Sequence, residues 1–95
     1  MIRFHPAVQC DANEALRHYD GISPGLGDDF WLQVESVCAR VEKNPQHFHF
    51  DACGWRRASL ARFPYHILFY EEIQGVRVMA LRHHRRHPQY GTRRR

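Results

Sequence analysis

The sequence predicts an α+β domain in which an antiparallel helical hairpin lies on one face of an antiparallel sheet, in the order β-α-α-β-β-β. Three observations carry this. Between Pro6 and Asn44 the apolar residues fall at helical spacing in two separate stretches. Near Trp55 the period changes to two. Gln74-Gly75 then divides two strand-like runs at hairpin spacing. A chain of 95 residues has room for one such domain, residues 1–95, and not for two.

"MIRFH" reads as a short first strand over residues 2–5. Pro6 opens the first helix, as proline does at a first helical position. Val8, Ala12, Ala15, Leu16 and Tyr19 line one face of it, and Asp20-Gly21 stops it, which predicts a helix over 7–19. Ser23-Pro24 reads as an N-cap followed by a first helical residue, so the second helix is expected over 24–43. Its stripe is Phe30, Val34, Val37, Cys38 and Val41, and Asn44-Pro45 ends it. A short connection between two helices makes a hairpin of them. Residues 46–54 carry no period and read as a loop. Strands follow over 56–62, 65–72 and 76–83. "YHILFYEE" is apolar on both faces, as a central strand is. Pro64 falls between strands, and Pro88 ends the ladder. Helices on one face leave the other face as a shallow concave surface, bordered by Arg57, Arg62 and the basic end of the last strand.

No apolar run approaches the ~20 residues of a membrane span. The start, "MIRFHPAVQ", has no apolar signal core, and the expected location is cytoplasmic. Cys10, Cys38 and Cys53 are odd in number and form no CxxC pair, which points away from a disulfide framework or a zinc knuckle. Cys38 lies on the apolar helix face and reads as a core thiol, and Trp31, Phe30 and Trp55 read as packing residues. Charge is unevenly placed. Residues 1–81 hold 8 basic and 10 acidic residues, while residues 82–95 hold 6 arginines and no acid. Of the 14 basic residues only Lys43 is lysine, and arginine suits bidentate contact with phosphate or carboxylate.

The stretch "ALRHHRRHPQYG", Ala80 to Gly91, concentrates that charge. Three readings compete. A metal site lacks a carboxylate, and the adjacent His83 and His84 would point to opposite faces of a strand, so neither a metal nor a cofactor is expected. A nucleic-acid contact or cleavage site fits arginines beside Tyr90, Tyr65 and Tyr70. RNA can be cut without metal where one group removes the 2′-OH proton, another protonates the leaving oxygen, and arginine steadies the phosphorane. A solvated basic tail, flexible from about residue 88, fits Arg93 to Arg95 best.

Taken together, "SPGLGDDF", "RRASLARFPYHILFY" and "VRVMALRHHRRHPQY" resemble the RelE/ParE superfamily of bacterial toxins, over nearly the whole chain from "FHPAV" to Tyr90. The resemblance implies two antiparallel helices on a twisted antiparallel sheet. It also implies a growth-inhibiting toxin of the plasmid-stabilisation type, neutralised by a cognate acidic antitoxin. RelE-like members cut mRNA in the ribosomal A site, and ParE-like members inhibit DNA gyrase without a nuclease site. On the RelE pattern the catalytic residues would be His84 and Tyr90, six apart, with Arg57 and Arg62 on the middle strands. The lysines of RelE proper are missing, and His84 stands where that enzyme has arginine. The "SPGLGDDF" connection looks more like the ParE side, which makes a gyrase inhibitor the first expectation and an endoribonuclease the alternative. In either case Arg82, His83, Arg85 and Arg86 are the expected contacts to target or nucleic acid. A non-toxic, Arg-rich RNA-binding or partner-binding module on the same fold is a further alternative.

Overall fold

The computed structural model describes all 95 residues. Strand β1 (Ile2–Phe4) leads into helices α1 (Ala7–Ile22) and α2 (Leu26–Lys43). After a 3-10 turn at Pro45–His47 come β2 (Arg56–Ser59), β3 (Tyr65–Glu72) and β4 (Gly75–His83). The order is the expected β-α-α-β-β-β, and the strands lie side by side as β1-β4-β3-β2. No helix is long and apolar enough to cross a membrane.

The sheet is mixed rather than wholly antiparallel. The pairs β2–β3 and β3–β4 are antiparallel, but β1 runs parallel to β4, with Arg3 opposite Arg77. Hairpin neighbours must be antiparallel. β1 reaches β4 only through the whole intervening chain, so either direction is open to it.

Both helical stripes enter one core. Val8, Ala12, Ala15 and Tyr19 of α1 and Phe30, Val34, Val37, Cys38 and Val41 of α2 meet Ile67, Phe69, Val76, Val78 and Leu81 of the sheet. At one end the rings of Tyr19, Phe30, Phe63 and Tyr65 pack edge-on or stacked at 4.9–5.2 Å along the close pairs. Cys38 is the core thiol expected of it, and burial pushes it up to about 11.

Element ends moved for local reasons. α1 continues through Gly21 to Ile22, and α2 begins at Leu26, because Gly25 adopts a left-handed backbone with φ of 83°. Ser23-Pro24 therefore forms the link and not the first turn. The Asp20 carboxylate accepts the Gly27 N–H at 3.0 Å, and a side chain at Gly27 would run into it. β2 stops at Ser59. Residues 60–64 loop so that Leu60 and Phe63 both turn inward, which leaves Arg62 exposed on that loop instead of on a strand.

The second face is largely covered. The loop after α2 wraps the free edge of β2, through Arg57 N–H to His49 O at 2.9 Å, and brings Asp51 over the sheet. Residues 88–95 turn back over β4, with Gly91 lying against Ala80. His66, Leu68, Ala80 and Arg82 are all buried. The expected concave surface survives only at the hairpin end.

Candidate functional site

Strand alternation sends His83 and His84 to opposite faces, as their adjacency requires. His83 packs edge-on against Tyr65 at 4.9 Å, while His84 stacks on His66 at 5.1 Å and 12°. His84 and four other side chains close a ring. Asp51 Oδ1 receives Arg82 Nη2 at 3.0 Å, and Arg82 Nε donates to His66 Nε2 at 2.9 Å. His66 Nδ1 lies 2.9 Å from His84 Nδ1, which Arg57 Nη2 approaches at 3.3 Å. Arg57 Nη1 returns to Asp51 Oδ1 at 3.6 Å.

This closure assigns the protons. A guanidinium only donates, so His66 Nε2 must accept and the His66 proton sits on Nδ1. His66 then donates to His84, whose Nδ1 is a bare lone pair shared with Arg57 and whose own proton sits on Nε2. Both imidazoles are neutral. Burial, then the charges of Arg57 and Arg82, lower His66 to about 3. Burial and Arg57 likewise lower His84. For Asp51, burial works against ionisation, but the Cys53 N–H and the two guanidinium groups outweigh it and hold the carboxyl below its usual range.

Arg82 is therefore no surface contact. It is 4 % exposed and also donates to Pro88 O at 2.6 Å, so one guanidinium ties the Asp51 loop, β3 and the C-terminal segment together. A bulge in β4 opposite Leu68 and Phe69 shifts the alternation, so Ala80 and Arg82 turn away from the helices, under the Asp51 loop and the terminal segment. The Asp51 carboxylate makes the burial of Arg82 tolerable.

A second network sits at the β4 edge beyond the end of β1. Asp11 of α1 accepts the Leu81 N–H at 3.1 Å, the Tyr90 hydroxyl at 2.6 Å, and Arg94 Nη1 and Nη2 at 2.6 and 3.0 Å. Arg94 Nη1 also donates to Met79 O at 3.0 Å. Burial and the Asp11 carboxylate raise Tyr90 above the usual phenol range. Arg86 stacks over the Tyr90 ring at 4.2 Å and reaches Glu14 at 3.5 Å. The terminal segment is thus fastened through Tyr90 and Arg94, leaving Arg93 and Arg95 exposed.

Of the residues singled out in sequence, the fold brings Arg57, His84 and Arg82 into the first network, and Tyr90 and Arg86 into the second. No hydrogen bond joins His84 to Tyr90. Arg62 is apart from both, Arg85 is exposed, and His83 holds the Arg85 N–H on its Nδ1 at 3.0 Å. Asp51, His66, Asp11 and Arg94 were missed. Only Asp11 carries a sequence signal, an acid set beside Ala12 in an apolar helical stripe.

A family model for the ParE toxin of type II toxin–antitoxin systems matches residues 2–88. The chain belongs to the ParE toxin family. No curated protein matches it. The matched stretch of this ParE toxin contains the whole ring around Arg82, whereas Tyr90 and Arg94 lie past its end. Membership makes the chain the toxin component of a toxin–antitoxin pair, and an antitoxin is its implied partner.

Proposed function

We propose that this ParE toxin arrests growth by inhibiting DNA gyrase and is neutralised by a cognate acidic antitoxin in the cytoplasm. One observation carries the choice of target over mRNA cleavage. The two groups best suited to proton transfer are committed elsewhere: the His84 Nδ1 lone pair to His66 and Arg57, the Tyr90 proton to Asp11. A general base needs a free lone pair, and a general acid needs a proton it can release toward substrate. The exposed cations Arg85, Arg86, Arg93 and Arg95 then serve as contacts to the target and to the antitoxin.

A RelE-like endoribonuclease is the second reading, favoured by the meeting of Arg57 and His84 at 3.3 Å on the sheet. A supercoiling assay with purified gyrase, beside primer extension on mRNA after induction, separates the two. The gyrase reading expects lost supercoiling at unchanged transcript ends, with His84→Ala and Tyr90→Phe retaining toxicity and Arg85→Ala with Arg86→Ala reducing it. New transcript ends that vanish in His84→Ala or Tyr90→Phe, with cleavage down by roughly 10²-fold, would establish the nuclease instead.

A further inference from the structure

The uncovered end of the second sheet face carries a row of side chains that neither network uses. Register places Tyr70 opposite Arg77 and Arg77 opposite Arg3. Trp55 precedes Arg56, which pairs with Phe69, so Trp55 stands beside Tyr70, with ring centroids 6.2 Å apart and planes at 34°. The alternate residues Phe69, Val76 and Val78 are in the core, so the row faces away from the helices. Trp55, Tyr70 and Arg77 are half-buried. Beside them Phe50, Gly54, Trp55, Arg56, Tyr70 and Glu71 line a shallow cavity of about 250 Å³.

The charges nearby leave one cation over. Glu71 is held by Arg56 at 3.1 Å, and Glu72 by Arg3, whose Nε donates at 3.0 Å. Arg77 makes only a long hydrogen bond, 3.4 Å to the Tyr70 hydroxyl, and its buried Nε has no acceptor at all. Buried donors are nearly always satisfied, so a guanidinium this poorly bonded is short of an acceptor. Two adjacent aromatic faces and an under-used guanidinium are what a base joined to a phosphate requires: stacking is indifferent to base identity, and the arginine takes the charge. An acidic peptide would use the arginine and leave the rings idle.

We propose that Trp55, Tyr70 and Arg77 form a binding site for a nucleobase carrying a phosphate, the base stacking on the two rings and the phosphate pairing with Arg77. This site lies apart from the His84 ring and does not depend on which target the toxin inhibits.

The test is fluorescence titration of the full chain carrying Trp31→Phe, so that emission reports Trp55 alone. AMP or a single-stranded oligo(dA) of about ten nucleotides quenches Trp55, and adenosine without phosphate binds about tenfold more weakly. Arg77→Gln and Tyr70→Leu each weaken binding by about tenfold. Equal affinities for AMP and oligo(dA) identify a free nucleotide as the ligand, and a much tighter oligo(dA) identifies single-stranded nucleic acid. Circular dichroism checks folding. Should Arg77→Gln not fold, Arg77→Lys keeps the charge, loses the bidentate fork, and weakens binding in the same sense. Absence of quenching by either probe at millimolar concentration overturns the proposal. So does undiminished binding in the Arg77 variant, or equal competition by duplex DNA or poly-glutamate, which would show a charge contact without base stacking.

Discussion

Asp11 and Arg94 show how much one charged pair can hold at the end of a strand. With β1 ended at Phe4, the Leu81 N–H has no strand partner, and the Asp11 carboxylate takes that role while binding Arg94 and the Tyr90 hydroxyl. The Asp11 side chain is 1 % exposed and that of Arg94 16 %, so removing one leaves the other charged and poorly solvated. Asp11→Ala is expected to destabilise the fold by about 3–5 kcal/mol in urea unfolding, the range for breaking a buried pair. His66 makes a second prediction at this scale. Its folded pKa of about 3 lies below the ordinary value of 6.5, so its neutral form stabilises the fold fully above pH 6.5. That contribution falls away as the pH drops from 6.5 toward 3, where the unfolded chain binds the extra proton, at up to about 1.4 kcal/mol per pH unit. In His66→Gln the dependence of unfolding free energy on pH should be flatter across that window by up to one proton.

Among the elements, the connection between helices and the terminal segment are each held by few bonds. Asp20, from the end of α1, satisfies an orphan N–H in the first turn of α2. Asp20→Ala should cost about 1 kcal/mol, as loss of a helix cap does, measured by thermal or urea unfolding. The segment after His87 wraps β4 and carries both side-chain partners of Asp11, Tyr90 and Arg94. Truncation there should therefore destabilise much as Asp11→Ala does, while Arg93→Ala and Arg95→Ala, which touch exposed residues only, should stay within about 0.5 kcal/mol of the parent. A truncated chain as stable as the full one would show that the segment is a loose tail.

At the scale of the whole molecule, folding redistributes the charge written in the chain. Residues 82–95 carry 6 arginines, but Arg82 and Arg94 are neutralised inside by Asp51 and Asp11. The cations left exposed in that segment are Arg85, Arg86, Arg93 and Arg95, the proposed contacts to an acidic antitoxin. Such exposed charge speeds encounter more than it tightens the complex. Association with the antitoxin, followed by stopped flow, should slow by about tenfold or more between low salt and ~0.5 M salt, with a much smaller change in dissociation. A rate indifferent to salt would place the antitoxin's contact elsewhere.

The sequence by itself determined the fold class, both apolar helix stripes, the central strand β3 and the β3–β4 hairpin. Each follows from a local signal: Val8 to Tyr19 and Phe30 to Val41 at helical spacing, and the Gln74-Gly75 turn between two strand-like runs. Periodicity says which side of an element is apolar, and it separated His83 from His84. Strict alternation would set Ala80 beside Val76 and Val78, but a bulge in β4 puts Leu81 there instead. It says nothing of partners far along the chain. The direction of β1, the loop at Arg62, the burial of Arg82 and the fastening of Arg94 were decided only by tertiary structure. Asp51 is 31 residues from Arg82, and Asp11 is 83 residues from Arg94. An arginine reads as a surface charge until the carboxylate that accompanies it inward is known, and no local pattern carries that information.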